Sequence, residues 1–327
     1  MSADGAKIRF GIIGTGLVAN NDHGPAMRQA DNCLLWSVLS RDPTRARQFA
    51  DRHGAAAPQS AHTSLADMLR DRLLQAVIVA SPDKLHVGHI LACARAGKHV
   101  LVEKPLVTSL EDGALAIETC RQQGVKLGVG FHSRWHSGHR KLRRRIHQDA
   151  VLGSLRHVRV HWSYKAEEAL HWRTNDDLSA WWALGGLGAH CLDLIHWFVD
   201  TPDRSVTARS GLLQRQPTAG HRDRTAMMQF SYSDGVTAEC TTSSLYDAPR
   251  RIEIYGTKGA AFCDGTLGRR GAGRILINDE PLEFEVQSPF ENQLRDFASA
   301  IRDDRAPDAS AEAGLQVVDD IVNIAGR

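Results

Sequence analysis

Two residues of this 327-residue chain are the main candidates for proton exchange with a bound molecule. They are Lys104, within EKPL (103–106), and His190, within GLGAHCLD (186–193). An imidazole changes charge near neutral pH, and an ammonium group stabilises a developing negative charge. Pro105 keeps Lys104 out of the helical region, so the chain leaves a predicted strand in an extended form. As a bare motif, EKPL also describes an ordinary strand end with a surface lysine.

The segment that carries His190, WALGGLGAHCLD (182–193), is rich in glycine. Glycine disfavours helix and favours tight turns, so we expect the chain to bend here before a helix begins. Apolar residues then recur at helical spacing over 187–198. His190 would lie in the first turn, where the helix dipole disfavours its protonated form. Asp193 and Trp197 share its flank, so a partly buried histidine fixed by Asp193 fits the pattern equally well.

A glycine loop follows the first apolar run of the chain. GIIGTGLVA (11–19) has Gly14, Gly16 and Ala19 in G-x-G-x-x-A spacing, directly after KIRFGII (7–13). Between a strand and a helix, this spacing is the dinucleotide-binding fingerprint: the first glycine turns tightly, the second admits a pyrophosphate, and Ala19 keeps helix and strand close. The helix N-terminus then attracts the phosphates. An ordinary strand–helix turn is the alternative. The predicted contacts of this loop are Gly14, Thr15, Gly16 and Leu17.

The end of the second predicted strand indicates which dinucleotide binds. An acidic residue at this point would bind a ribose 2′-hydroxyl, whereas Ser40 and Arg41 offer a hydroxyl and a cation that suit a 2′-phosphate. Asp42 comes one residue too late for the ribose and can cap the next helix. We therefore expect NADP(H) rather than NAD(H), with a solvated Arg41 as the alternative.

The predicted elements change character along the chain. Residues 7–130 alternate short apolar strands with helices, which predicts a parallel, doubly wound Rossmann sheet; Asp83 can cap the helix that runs to about Gly97. Residues 131–327 contain long alternating strands and two closing helices, which predict an α/β domain with a large, mostly antiparallel open sheet. We expect residues 1–130 to bind the dinucleotide, and residues 131–327 to bind substrate and form oligomers.

Composition excludes several classes of protein. The formal net charge of +2 argues against a nucleic-acid-binding protein, and the basic run HRKLRRRIHQ (139–148) is best explained as a solvated helix face. The residues MSADGAKIRFG (1–11) lack the long apolar run of a signal peptide and no window is long enough to cross a bilayer, so we expect a cytoplasmic protein without either segment. The six scattered cysteines predict free thiols. His132, His136 and His139 have helical spacing, but Gly138 interrupts that helix, so we predict no metal site.

The chain resembles the Gfo/Idh/MocA oxidoreductases, which include glucose–fructose oxidoreductase and inositol dehydrogenase. The resemblance rests on the glycine loop and on five further motifs. These are VIVASPDKLHVGHILACARAGKHVLVEKPL (77–106), GVGFHSR (128–134), GLGAHCLDL (186–194), EIYGTKGA (253–260) and ENQLRDFASAI (291–301). It implies hydride transfer between a nicotinamide and a hydroxyl or carbonyl group of a sugar or cyclitol. It also implies a homo-oligomer, a dimer or tetramer, formed through the C-terminal sheet.

The resemblance also assigns roles to residues. Lys104 and His190 are the implied catalytic residues. The family has Asp four residues before the histidine, where this chain has Gly186; Asp193, Asp176 or Asp177 can substitute, or Lys104 can exchange the proton alone. Asp83 replaces the usual Asn. The positions implied near the cofactor are Ser81, Pro82, Asp83, His86, Glu103, Lys104 and Pro105. The predicted substrate contacts are His132, Arg134, Trp172, Arg173 and Asp193.

Three functions are compatible with these motifs. The first is an NAD(P)-dependent oxidoreductase acting on a secondary alcohol or its ketone, with a small-molecule substrate. The second is a glycosidase whose retained nicotinamide is oxidised and reduced within one turnover. The third is a non-catalytic nucleotide sensor, which the absence of the family Asp at Gly186 suggests. Turnover on a panel of alcohols and ketones distinguishes them.

Overall fold

A computed structural model describes residues 7–167, 172–175, 177–200, 204–216 and 222–326. The chain forms two compact units. The first contains the residues up to Gly130 together with Phe290–Leu315, and the second contains Phe131–Pro289 together with the residues from Gln316 onward. No helix in these described ranges is both long and apolar enough to cross a membrane.

Strands and helices are numbered in chain order. The strands are β1 (Ile8–Ile13), β2 (Cys33–Leu39), β3 (Ala61–His62), β4 (Ala76–Val79), β5 (His99–Val102), β6 (Leu127–Val129), β7 (Leu155–Ser163), β8 (Val206–Gln216), β9 (Arg222–Tyr232), β10 (Thr237–Ser243), β11 (Arg251–Gly256), β12 (Gly259–Asp264), β13 (Arg274–Ile277) and β14 (Glu280–Pro281). The α-helices are α1 (Gly24–Gln29), α2 (Pro43–His53), α3 (Leu65–Leu69), α4 (His86–Arg95), α5 (Leu110–Gln122), α6 (Ser137–His147), α7 (Ala189–Val199), α8 (Pro289–Arg302) and α9 (Ala311–Ala325).

The first unit is built on a six-stranded sheet in the order β3-β2-β1-β4-β5-β6. The described pairings in this sheet are parallel. The central strands β1 and β4 are apolar and buried, as expected for a sheet covered on both faces. This arrangement confirms the predicted doubly wound Rossmann fold.

Helix α8 returns to the first unit and corrects the predicted domain division. Its residues Phe290, Leu294 and Phe297 join the buried core around β1, and the rings of Phe10 and Phe297 lie 6.3 Å apart. The prediction assigned all of residues 131–327 to the second domain. Residues 290–315 belong to the first unit instead, because the apolar face of α8 completes the first unit's core.

The second unit is built on an eight-stranded sheet in the order β14-β13-β12-β11-β7-β10-β9-β8. Strands β7 and β10 pair in parallel, and the other described pairings are antiparallel. Inward residues of β9 such as Met228 and Phe230 are buried, whereas Met227 on the opposite face is exposed. The predicted large, mostly antiparallel open sheet is therefore confirmed.

Asp83 has a different local role from the predicted one. It opens a 3₁₀ turn, Asp83–Leu85, and α4 begins only at His86. The residues at the two N-cap positions, Pro82 and Leu85, make no side-chain capping bond. Asp83 is therefore the first residue of this tighter turn, three residues before the start of α4, rather than the N-cap residue of that helix.

Candidate active-site residues in each unit

The turn after β1 has the geometry of a dinucleotide-binding loop. Gly14 has φ of +100°, and a Cβ there would lie 2.7 Å from the carbonyl oxygen of Ala80, so this position requires glycine. A Cβ on Gly16 would have no atom within 4 Å, and Leu17 is 72% exposed. Ala19 is fully buried against the sheet. The backbone at Gly16 therefore faces open space that a pyrophosphate can occupy.

Ser40 and Arg41 follow β2 beside this loop. The Thr15 hydroxyl donates to Ser40 Oγ at 3.2 Å, and the Asp42 amide donates to the same oxygen at 3.3 Å. The Asp42 carboxylate accepts hydrogen bonds from the first amides of α2, at 2.8 and 3.2 Å, and so caps that helix as predicted. Arg41 is exposed. The cation at this strand end is therefore accessible to a 2′-phosphate, while Asp42 is engaged by its helix.

Glu103 positions Lys104 from the end of β5. Glu103 Oε1 lies 2.8 Å from His23 Nε2, and Glu103 Oε2 accepts from the Lys104 amide at 3.3 Å. Glu103 and His23 are buried, and the His23 ring meets Phe290 edge-on at 5.3 Å. Glu103 was predicted to contact the cofactor. Its carboxylate connects the turn that carries Lys104 to the helical turn after the glycine loop, and its contact with the cofactor stays a prediction.

His86 connects the turns that follow β4 and β5. Its Nδ1 lies 2.8 Å from the carbonyl oxygen of Pro105, and its Nε2 lies 2.9 Å from that of Ser81. The side chain is 1% exposed. Both ring nitrogens therefore face backbone carbonyls, and the contact of His86 with the cofactor stays a prediction. Ser81 and Pro82 remain half-exposed at the carboxyl edge of the sheet.

Two supporting residues of the first unit were missed by sequence reasoning. Asn20 Nδ2 donates to the carbonyl oxygen of Thr15 at 2.8 Å, which fixes the glycine loop. His23 binds Glu103 as described above. Both lie in the π-helical turn Ala19–His23, which precedes α1. In the sequence, Asn20 and His23 are only two polar residues shortly after a glycine loop, which is a weak signal for a supporting role. The π-helical spacing that directs their side chains cannot be deduced from sequence periodicity.

The glycine-rich segment of the second unit is helical rather than bent. Leu184–Gly188 forms a π-helical turn that continues directly into α7, and the Gly186 amide donates to the carbonyl oxygen of Trp182 at 2.7 Å. His190 therefore lies beyond the first turn of the helical segment. The predicted bend was wrong, and the dipole at the helix N-terminus acts on His190 from a greater distance than we expected.

Asp223, on β9, stabilises the start of the helical segment at Leu184. Its two carboxylate oxygens accept hydrogen bonds from the amides of Trp182, at 2.8 Å, and Leu184, at 2.6 Å. The next residue, Arg224, stacks its guanidinium 4.3 Å from the Trp182 ring and donates to Ser244 Oγ at 2.6 Å. Burial raises the pKa of the Asp223 carboxyl, while the two amide bonds act in the opposite direction. A carboxylate from a distant strand thus serves as the cap that the sequence did not show.

His190 is surrounded by aromatic side chains. Its ring is nearly parallel to that of Trp162, on β7, at 5.5 Å between centroids. The His132 ring meets it edge-on at 4.6 Å, and the Phe131 ring at 6.5 Å. His190 and His132 are 4% and 5% exposed. The packing fixes the plane of the imidazole, as an acid–base residue requires.

Arg134 and Asp193 form an ion pair inside the second unit. Arg134 Nε lies 3.0 and 2.9 Å from the two oxygens of Asp193, and Arg134 Nη2 lies 2.6 Å from Oδ1. Both side chains are almost fully buried. Each side chain satisfies the other's charge, and their contact with substrate stays a prediction.

Arg173 lies beside the position where the family has its aspartate. A Cβ on Gly186 would be 3.6 Å from Arg173 Nε, and the guanidinium of Arg173 lies 4.0 Å from the ring of Trp172. Of the other candidate carboxylates, Asp177 is exposed and Asp176 lies outside the described residues. The structure therefore brings the Arg173 guanidinium to the side of this helical turn.

The histidines of FHSRWHSGH have separate roles. His139 bonds the Ser133 carbonyl and the Thr266 hydroxyl, at 2.9 and 2.8 Å, and stacks with His136 at 4.3 Å, whereas His132 faces His190. Within the described ranges, no group of three or more His, Cys, Asp or Glu residues could hold a metal ion. All six cysteines are buried free thiols.

Comparisons with known proteins match this architecture. Residues 8–131 match the oxidoreductase family with an NAD-binding Rossmann fold, and residues 139–262 match the GFO/IDH/MocA C-terminal domain. A 1,5-anhydro-D-fructose reductase of Ensifer adhaerens is 26% identical over 314 residues, which cover 94% of this chain and 92% of the relative.

Two further similarities extend the comparison. A scyllo-inositol 2-dehydrogenase (NADP(+)) of Bacillus subtilis is 30% identical over 194 residues, covering 58% of this chain and 52% of the relative. The crystal structure of an aldose-aldose oxidoreductase from Caulobacter crescentus has the same fold, with a TM-score of 0.88 and 22% sequence identity. The alignment covers 98% of this chain and 97% of that structure's chain. The chain is therefore a member of the Gfo/Idh/MocA family of NAD(P)-dependent oxidoreductases.

Proposed function

We propose that this enzyme transfers a hydride between NADP(H) and a secondary alcohol or ketone of a sugar or cyclitol. One observation carries the proposal. The glycine loop follows β1 and Lys104 follows β5, and both strands flank β4 in the parallel sheet. A dinucleotide bound at this carboxyl edge would extend from the glycine loop toward the turn that bears Lys104. The names of the relatives support a sugar or cyclitol as the substrate.

Lys104 and His190 share the acid–base chemistry in this proposal. The bound nicotinamide supplies or accepts the hydride. The Lys104 ammonium stabilises the oxygen of the substrate as negative charge develops on it. His190 accepts the hydroxyl proton during oxidation and returns it during reduction. Glu103 holds the backbone at Lys104, and the Trp162 and His132 rings hold the imidazole of His190.

NADP(H) is preferred over NAD(H) in this proposal because of the charge at the end of β2. The exposed Arg41 can pair with a 2′-phosphate, and the Ser40 hydroxyl lies beside it. Asp42, the acidic residue that could bind a ribose 2′-hydroxyl, is engaged by the amides of α2. A relative named as an NADP(+) enzyme agrees with this preference.

The proposed substrate contacts are His132, Trp172 and Arg173.

The exposed face of the eight-stranded sheet is the proposed oligomer interface. On that face Leu212 and Met227 are cross-strand neighbours and are 64% and 44% exposed. Two adjacent exposed apolar side chains favour burial against a second copy. Light scattering of the protein, compared with Met227→Glu, tests the interface. A monomeric wild-type protein would contradict it.

The function is tested by following nicotinamide absorbance with a panel of sugars and cyclitols, using NADP(H) and NAD(H) in parallel. We expect a substrate-dependent absorbance change that is larger with NADP(H). Product formation without an absorbance change would favour the glycosidase with a redox-cycled cofactor. Cofactor binding with no product from any substrate would contradict the proposal.

A further inference from the structure

His53, the last residue of α2, is joined to the glycine loop through Asn20. The histidine is buried, at 3% exposure, and its Nε2 lies 3.3 Å from Asn20 Oδ1. The amide nitrogen of the same Asn20 donates to the carbonyl oxygens of Thr15 and Gly16, at 2.8 and 3.4 Å. A helix outside the dinucleotide fingerprint is therefore connected to the backbone of the loop.

The chemistry of the atoms fixes the direction of each hydrogen bond. Carbonyl oxygens only accept, so the NH₂ group of Asn20 faces the loop and its Oδ1 faces His53. Because an amide oxygen also only accepts, His53 Nε2 carries a hydrogen and donates it. Arg28 Nη1 lies 3.4 Å from the other ring nitrogen, Nδ1, and a guanidinium only donates. The neutral ring with its hydrogen on Nε2 satisfies both contacts.

The surroundings of His53 favour this neutral form and hold the ring in place. Burial lowers the pKa of His53, and the positive charges of Arg28 and Arg52 act in the same direction. The ring packs against that of Phe49, at 4.4 Å between centroids. A Cβ on Gly24 would lie 2.5 Å from His53 Nδ1, so this first residue of α1 leaves the space that the ring occupies.

We propose that His53 is a positioning residue for the cofactor, which acts through Asn20 to hold the Thr15–Gly16 backbone in the form that admits a pyrophosphate. This inference rests on the proposed function and adds a residue that lies 33 positions beyond Asn20 in the sequence. The pyrophosphate is common to NADP(H) and NAD(H), so losing the His53–Asn20 hydrogen bond should weaken the binding of both cofactors equally.

Two substitutions of His53 separate hydrogen bonding from packing. His53→Phe keeps an aromatic ring against Phe49 and removes the donor to Asn20. His53→Gln removes the ring, but its carboxamide can donate to Asn20 and accept from Arg28. Gly24→Ala displaces the histidine ring from the side of α1, although alanine itself is favoured over glycine in a helix.

The experiment titrates each purified protein with NADPH and with NADH and follows the fluorescence of the reduced nicotinamide. We expect His53→Phe and Gly24→Ala to raise Kd for both cofactors about 3- to 10-fold, as for the loss of one hydrogen bond. His53→Gln should raise Kd less than twofold. The matched control is Arg52→Gln, at the exposed preceding residue of α2, which should also change Kd less than twofold.

The outcomes separate this inference from the proposed function. Unchanged affinity of His53→Phe, an equal loss in His53→Gln, or a loss confined to one cofactor overturns the inference and leaves the proposed function intact. Where circular dichroism shows that His53→Phe does not fold, Gly24→Ala gives the same test, and its unchanged affinity overturns the inference. Failure of the wild-type protein to bind either dinucleotide contradicts the proposed function, and this inference with it.

Discussion

Replacing Asp223 with alanine should loosen the helical segment that carries His190. The substitution removes the acceptors of the Trp182 and Leu184 amides, which lie 2.8 and 2.6 Å from the carboxylate. A buried amide without an acceptor costs about 1–3 kcal/mol, so two amides cost about 2–6 kcal/mol. Burial raises the free-energy cost of ionising the Asp223 carboxyl, as its raised pKa indicates. Removing that carboxyl therefore offsets part of the lost stability. We therefore expect a net destabilisation of about 2–4 kcal/mol.

Urea unfolding followed by tryptophan fluorescence measures this effect in the second unit, because six of the seven tryptophans lie between 135 and 197. The matched control is Asp42→Asn, at a carboxylate that also accepts two amide hydrogen bonds but is exposed at the start of α2. Because Asn caps helices about as well as Asp, we expect Asp42→Asn to lower the free energy of unfolding by less than about 0.5 kcal/mol.

A further readout separates positioning from stability. At a temperature where Asp223→Ala remains folded, kcat should fall several-fold while the affinity for NADP(H) stays unchanged, because the glycine loop belongs to the other unit. An Asp223→Ala protein with wild-type unfolding and wild-type kcat would refute the role assigned to this carboxylate.

Three further predictions follow from the local geometry. Arg41→Gln should raise KM for NADP(H) about 10-fold or more and leave KM for NAD(H) nearly unchanged. A roughly 10-fold increase corresponds to losing about 1.4 kcal/mol of binding free energy between the arginine and the 2′-phosphate. Equal increases in KM for both cofactors would contradict this prediction. Gly14→Ala should weaken binding of either cofactor, measured by calorimetry, because a Cβ would lie 2.7 Å from a carbonyl oxygen; unchanged affinity would contradict the assignment of the loop. Burial lowers the pKa of His139 to about 3 from its ordinary value of 6.5, so the unfolded chain binds one more proton between these values. The contribution of His139 to the free energy of unfolding should then fall as pH falls through this range, so urea unfolding of His139→Gln should depend less steeply on pH than that of the wild-type protein.

The sequence predicted the parts of the fold that depend on regular patterns. Alternation of strands and helices indicated the parallel sheet, and the period-two strands indicated the open antiparallel sheet. The same patterns could not assign α8 to the first unit, because periodicity shows that a face is apolar and not which core it joins. Strand β8, VTARSGLLQRQ (206–216), gives only a weak strand signal in the sequence, since it contains few apolar residues and is exposed at many positions.

The candidate site was predicted where a local motif determines the geometry. Gly14, Ser40 and Lys104 follow directly from strand ends and turns. Long-range partners could not be predicted: Arg134 binds Asp193 across 59 positions, and Glu103 binds His23 across 80. A single sequence carries no signal for such pairs, so these contacts could be found only in the structure.

The most direct test of the central claim is the turnover of Lys104→Ala and His190→Ala, measured with the cofactor affinity of each variant. Controls are Lys141→Ala and His157→Ala, at exposed or half-exposed positions in the second unit. We predict that each active-site substitution lowers kcat about 10²–10⁴-fold while NADP(H) still binds, and that the controls retain wild-type turnover. Near-wild-type turnover in both Lys104→Ala and His190→Ala would contradict the account.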